Sequence, residues 1–126
     1  MATAPAEGVA SSFVVGTWYG EEQPKDPNVF WLARFFSDGR FHALFRTCHG
    51  KETFDEDDSG TWSFRDNVLE VTSKLVNGQA ILQAERYHTL SYDGRKHVYR
   101  HERTGFVFTA IRVRDDYDLP ACGLSS

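Results

Sequence analysis

The sequence has few of the features that mark whole classes of protein. It contains only two cysteines and one methionine in 126 residues, and its net charge of −4 leaves no basic excess. The longest uninterrupted apolar run, Val29 to Ala33, is far too short to cross a membrane as a helix. A nucleic-acid partner is disfavoured because such proteins carry a basic face. We therefore expect no membrane span and no nucleic-acid partner.

The first residues also lack a recognisable targeting signal. Residues 1–12 are small and polar, without the basic start and apolar stretch of a signal peptide. As the chain stands we expect a cytoplasmic protein. A chain whose signal peptide had been removed would look the same and would be periplasmic or secreted.

The two cysteines, Cys48 and Cys122, have no metal-ligand spacing. The simpler interpretation is two free thiols in a cytosolic protein. The alternative is a single disulfide that holds the C-terminal tail in an oxidising compartment. An acidic run from Asp55 to Asp58 is interpreted as a solvated loop. A cation site is the alternative, although the run lacks the glycine-centred spacing of a calcium loop.

Aromatic residues and turn signals, by contrast, are abundant. Ten Phe, five Tyr and three Trp favour strands, and no stretch has a helical period. Four turn pairs fall between apolar runs, each suited to a two-residue hairpin: Asp38-Gly39, Asp66-Asn67, Asn77-Gly78 and Asp93-Gly94. We predict an all-β domain, an up-and-down antiparallel barrel of about eight strands, over residues 13–114. Residues 1–12 are expected to be disordered or extended, and residues 115–126 to form an extended tail packed on the barrel.

The turn positions also predict which side chains share a face. A two-residue turn at Asp38-Gly39 pairs Phe36 with Phe41, and we assign their face to the interior, with Phe30, Leu32 and Phe45. The other face then carries an apolar outer patch of Trp31, Phe35 and Leu44. Because such a patch usually marks an interface, a homodimer is expected, with the tail around Leu119 to Cys122 as the competing cover.

The Asp93-Gly94 turn predicts the candidate ligand-binding residues. It places Arg86, His88, Tyr99 and His101 on one face, where inward-facing donors would suit an anionic headgroup such as a fatty-acid carboxylate. Phe36 and Phe41 belong to the apolar floor of this site. A salt-bridged outer surface is the alternative interpretation.

The same hairpin suggests a weaker alternative. His88, His97 and His101 fall on one face and could ligate a haem iron or share a metal ion. No cysteine or carboxylate completes a recognisable ligand set, so neither a metal site nor a cofactor is expected.

Four short motifs together resemble the small bacterial lipocalin-like proteins of the calycin group. They are Gly16-Thr17-Trp18, the hairpin from Phe36 to Phe41, Gly60-Thr61-Trp62 and the last strand ending Ala110-Ile111-Arg112-Val113. The resemblance implies that Trp18 closes one end of the barrel and that Arg112 packs over it. Both roles are structural, and Trp62 is expected in the core with Phe64, Leu69 and Val71.

The functional expectation follows from the barrel. The sequence has neither a Gly-x-Ser-x-Gly nucleophile motif nor a phosphate-binding glycine loop, so no enzyme is expected. We expect a non-enzymatic binding protein for a small apolar or amphiphilic ligand. The alternative is a barrel filled by its own side chains that acts as a protein–protein interaction module. A cavity of a few hundred Å³ would favour the first.

Overall fold

Short turns divide the chain into eight β-strands in the computed structural model, which describes residues 13–21 and 28–123. The predicted N-terminal segment, residues 1–12, lies outside the described residues. The strands are β1 (Gly16–Glu21), β2 (Val29–Phe35), β3 (Arg40–His49), β4 (Glu52–Arg65), β5 (Val68–Val76), β6 (Gln79–Tyr92), β7 (Lys96–His101) and β8 (Val107–Val113).

The strands form a closed antiparallel barrel. Each pairs with the next along the chain, and β8 pairs with β1 to complete the ring. The predicted fold class is therefore confirmed. Closure leaves no unpaired strand edge, which is how small all-β proteins avoid edge-to-edge association. Over residues 13–21 and 28–123, no helix is long and apolar enough to cross a membrane.

The β4–β5 turn has the predicted geometry. Asp66 and Asn67 both have positive φ, 54° and 64°, as a two-residue type I′ turn requires. Trp62 consequently lies opposite Val71, in the predicted register. Trp62 is buried, and its indole N–H donates a hydrogen bond of 2.9 Å to the carbonyl of Phe36.

The β2–β3 turn differs from the prediction by one residue. Of its central pair only Gly39 has a positive φ, 92°, and its N–H donates to the carbonyl of Phe36 at 3.0 Å. The connection is thus a three-residue loop whose last residue is left-handed, and not a two-residue type I′ turn. Phe41 pairs with Phe35 instead of Phe36.

This one-residue difference exchanges the two faces of β2. Trp31 and Phe35 are buried inside the barrel, whereas Phe36 lies outside between the guanidinium groups of Arg34 and Arg40, at 5.0 and 4.9 Å. The assignment of Phe30, Leu32 and Phe36 to the interior is therefore wrong. The outer patch proposed for a homodimer also loses Trp31 and Phe35, so the dimer stays a prediction without its main support.

The C-terminal tail lies against the outside of the barrel. A disulfide joins Cys48 on β3 to Cys122, so the free-thiol interpretation is wrong. Leu119 is buried, and Arg46 donates a hydrogen bond of 3.1 Å to the carbonyl of Pro120. The ring of Tyr117 lies 5.0 Å from that of Tyr19 on β1.

One end of the barrel is closed by Trp18, which is only 2% exposed. The guanidinium of Arg112 lies 4.4 Å from its ring and donates hydrogen bonds to the carbonyls of Phe13 and Val15, the latter at 2.8 Å. This cation–π pair has the arrangement that the resemblance implied. Gly16 has a φ of 131°, which residues with a side chain rarely adopt, and an added Cβ would also meet Nη1 of Arg112, so glycine is favoured at the start of the Gly-x-Trp motif.

Candidate functional site

The interior of the barrel contains a cavity of about 460 Å³. It exists because the inward positions halfway along three strands are alanines: Ala33 on β2, Ala43 on β3 and Ala110 on β8. In the predicted register the large residues of β2 would have faced inward. The observed register places Ala33 inward between Trp31 and Phe35 and leaves the middle of the barrel unfilled.

One wall of the cavity is aromatic. Trp31 and Phe35 on β2 face inward beside Phe41 and Phe45 on β3, and Phe108 comes from β8. The rings of Phe35 and Phe41 are stacked with centroids 6.2 Å apart. This wall offers a broad apolar surface to a ligand.

Carboxylates line the part of the wall that follows the aromatic strands. Glu56 and Asp58 on β4 and Glu85 on β6 all line the cavity. Asp58 lies opposite Ala43 and Glu56 opposite Phe45, so both carboxylates share the inward face of β4 with Trp62. The acidic run from Asp55 to Asp58 is therefore part of a strand, and its interpretation as a loop is wrong.

Glu85 is fully engaged with neighbouring side chains. Its carboxylate contacts Nε2 of His101 at 2.5 Å and accepts hydrogen bonds from Arg103 at 3.0 Å and Gln83 at 2.7 Å. Burial raises the pKa of Glu85, but these hydrogen bonds outweigh it and lower the pKa to about 2. Thr104 contacts the other ring nitrogen of His101 at 2.7 Å, so this cluster is closed to further partners.

Asp58 is in a different state. Within the described part of the chain, its Oδ1 is buried and has no hydrogen-bond partner. Burial raises the pKa of Asp58, and the neighbouring charge of Asp57 adds to that effect, while a hydrogen bond from Ser73 opposes it. A buried acceptor without a donor is rare and costly, and because the protein itself covers this oxygen, its burial adds to the cost of keeping Asp58 ionised.

The remaining polar residues of the wall are uncharged near neutral pH. Burial raises the pKa of Tyr87 to about 12, and the negative charges of Glu85 and Asp58 add to the shift. Burial lowers the pKa of His97 to about 4, and its Nε2 lies 2.9 Å from the hydroxyl of Thr89. No lysine or arginine occurs among the described residues that line the cavity. The wall is therefore acidic.

The structure separates the four ligand-binding residues predicted on β6 and β7. Tyr99 lines the cavity and His101 faces inward, but Arg86 and His88 lie outside, where both contact Glu102, at 3.3 and 2.8 Å. Of the two predicted floor residues, Phe41 lines the cavity and Phe36 does not.

The separation has a local cause. Tyr92 pairs with His97, and a register shift between Thr89 and Ser91 brings Tyr87 opposite His101. The predicted register paired Arg86 with His101, so it was wrong by one residue. Tyr87 holds the inward position, and the expected anion-binding donors are on the outer surface.

The three histidines of this hairpin do not converge. His88 is on the outer face, and the inward His97 and His101 are four residues apart along β7, which corresponds to about 13 Å. Among residues 13–21 and 28–123, no group of three or more His, Cys, Asp or Glu could hold a metal ion. The geometry that the haem or metal hypothesis required is therefore not present in this hairpin.

The closed barrel of eight antiparallel strands is consistent with a calycin-like fold. No protein-family model and no curated protein matches the sequence.

Proposed function

We propose that the protein binds a small, largely apolar molecule inside the barrel and holds it without catalysing a reaction. The observation that carries the proposal is the cavity of about 460 Å³, which the protein's own side chains leave unfilled. Sites for small molecules have volumes of about 300–1,000 Å³ and are mostly apolar with a few placed polar groups. This cavity has both properties.

The aromatic wall supplies a source of affinity. A ligand that buries about 200 Å² of apolar surface against these rings gains roughly 5 kcal/mol from water exclusion. Part of that gain is offset by the lost freedom of the ligand. Because a gain of roughly 5 kcal/mol corresponds to a dissociation constant of about 0.2 mM before that offset, dissociation constants in the millimolar range are expected from apolar contacts alone, before any polar interaction.

The states of the titratable groups support binding without chemistry. Glu85 is held ionised by its hydrogen bonds, and His97 is buried with its pKa lowered to about 4. Neither side chain is poised to exchange a proton near neutral pH. A lipocalin-like role also agrees with the closure of one end by Trp18 and Arg112. The alternative of an interaction module built on a filled barrel has less support, because the interior holds a cavity.

The proposal is tested by filling the cavity. The variant Ala43→Leu extends a side chain into the empty space, and Ala84→Leu makes the same change at an exposed position on β6 that does not line the cavity. The probe is N-phenyl-1-naphthylamine, an uncharged fluorophore whose emission rises in apolar surroundings. We expect saturable binding to the unmodified protein and to Ala84→Leu, and binding at least tenfold weaker to Ala43→Leu.

Two results would contradict the proposal. One is the absence of saturable binding to the unmodified protein. The other is equal binding by the two variants, which would place the fluorophore outside the barrel. A thermal melt of each variant shows whether Ala43→Leu is folded, which we expect because the added side chain enters open space.

A further inference from the structure

The charge of the cavity wall restricts the ligand further. The sequence suggested an anionic headgroup, but Arg86 and His88 lie outside the barrel and Glu56 and Asp58 lie within it. Arg112 is the nearest guanidinium at the closed end, and it is already stacked on Trp18 and bonded to backbone carbonyls. An anion would therefore meet only like charges inside the cavity.

We propose that the ligand is a small organic cation, an amine whose charged nitrogen binds Asp58 while its apolar part lies against the aromatic wall. This inference rests on the proposed function, because it names the chemical class that the same cavity accepts. It commits to one contact, an ion pair between the charged nitrogen and the carboxylate of Asp58.

The position of Asp58 is the first support. The residue lines the cavity opposite Ala43, and no lysine or arginine among the described lining residues balances its charge. An ammonium group would supply that positive charge. Hydrogen bonds between ionised partners are about twice as strong as neutral ones.

The neighbours of Asp58 are the second support. Glu56 lies two residues away on the same face of β4, about 7 Å along the strand, and its Cα partner is Phe45. A cation between these two carboxylates also lies close to aromatic rings, whose faces attract positive charge. Burial is the main cause of the raised pKa of Tyr87 on β6, and the negative charges of Glu85 and Asp58 add to it.

Glu85 is excluded as the cation's partner by its own contacts. His101, Arg103 and Gln83 already occupy its two oxygens. Its interaction with Arg103 also balances its charge at the rim. Asp58, with Glu56 beside it, is thus the position where an added positive charge gains most.

The test uses three ligands with one skeleton and different charge near pH 7: 4-phenylbutylamine, 4-phenyl-1-butanol and 4-phenylbutyrate. Isothermal titration calorimetry measures the dissociation constant of each with the full chain. We expect the amine to bind at least tenfold more tightly than the alcohol, and the carboxylate to bind more weakly than either. This comparison needs no variant, so it does not depend on how a substitution folds.

A pair of variants then assigns the charge preference to one residue. Asp58→Asn removes the proposed partner, and Asp57→Asn removes the adjacent carboxylate, which faces outward and contacts His42 at 2.8 Å. We expect Asp58→Asn to weaken amine binding at least tenfold and to change alcohol binding less than threefold. Asp57→Asn should leave both dissociation constants nearly unchanged.

The outcomes separate this inference from the proposed function. If the alcohol binds as tightly as the amine, the inference is wrong and binding of an apolar molecule stands. If none of the three ligands binds, the proposed function fails for molecules of this size. If the amine is preferred but both variants behave alike, the assignment to Asp58 is overturned.

Discussion

The disulfide between Cys48 and Cys122 should be a major source of the protein's stability. Its two cysteines are 74 residues apart, so the bond closes a large loop in the unfolded chain. In the chain-entropy model, a cross-link of this span removes enough unfolded-state entropy to stabilise the fold by about 4.4 kcal/mol. That amount is comparable to the whole stability of a marginal domain.

The perturbation is the double variant Cys48→Ala, Cys122→Ala, compared with the oxidised protein by urea unfolding. With an m-value of about 1.5–2 kcal/mol per molar urea, a loss of about 4.4 kcal/mol lowers the midpoint by roughly 2–3 M. The m-value of the variant should also rise, because an unfolded chain without the cross-link exposes more surface. Far-ultraviolet circular dichroism should be unchanged, since the eight strands pair without the tail.

A second comparison separates the cross-link from the packing of the tail. Leu119 is buried, and Thr17 donates a hydrogen bond of 2.7 Å to Asp115. Ending the disulfide-free chain after Arg114 should therefore cost a further 1–3 kcal/mol or so. A loss below about 1 kcal/mol for the double variant would refute the entropic reasoning. Free thiols in the purified protein, detected by mass after alkylation, would refute the disulfide itself.

Two further predictions concern the interior. Trp62→Ala should reduce the free energy of unfolding by roughly 3–5 kcal/mol, because the indole is buried and its N–H is hydrogen-bonded; an unchanged melting temperature would contradict this. The folded pKa of Glu85, about 2, lies below its ordinary value of 4.5, so its contribution to stability is fully present above pH 4.5 and is lost as the pH falls towards 2. The protein should lose about 3 kcal/mol from this group over that range, and Glu85→Gln should show a flatter dependence of the urea midpoint on pH; equal slopes would refute the assignment.

The turn residues explain which parts of the fold the sequence could predict. Asp66-Asn67 predicts a two-residue turn, because both residues tolerate positive φ. Both residues adopt a positive φ, and the predicted register of β4 and β5 is correct. Asp38-Gly39 suits either a two-residue turn or a three-residue loop with Gly39 left-handed. Local sequence does not choose between them, and a slip of one residue exchanges every inward side chain for its outward neighbour.

The register at the β6–β7 turn was also not predictable from the turn residues alone, because it depends on the hydrogen bonds of one side chain. Asp93 accepts hydrogen bonds from the backbone N–H groups of Arg95 and Lys96, at 3.1 and 2.8 Å, so it begins a longer turn and is not at its centre. The register shift between Thr89 and Ser91 then places Arg86 and His88 on the outer face. The number of strands follows from the positions of the turns, and the closed end follows from the Gly16–Trp18 motif and Arg112. Both signals are recognisable in the sequence.

One signal in the sequence indicates the inward carboxylates. Phe54, Glu56 and Asp58 follow one another at intervals of two residues, and side chains at that interval lie on the same face of a β-strand. A run of four acidic residues is far more often exposed to solvent. The acidic composition therefore favoured a loop and hid the two-residue spacing of a strand. Nothing local in the sequence shows that Oδ1 of Asp58 is left without a donor, because the surroundings of Asp58 come from β3, β5 and β6.

The three alanines that face the centre of the barrel make its interior adjustable. Ala33, Ala43 and Ala110 project into open space from strands whose backbone hydrogen bonds run through the ladder and not through these side chains. Exchanging them for valine, serine or methionine would change the shape and polarity of the chamber while the ladder stays intact. The fold therefore offers a scaffold in which ligand selectivity can be redesigned at three positions, with the disulfide-tethered tail and the Trp18 closure left untouched.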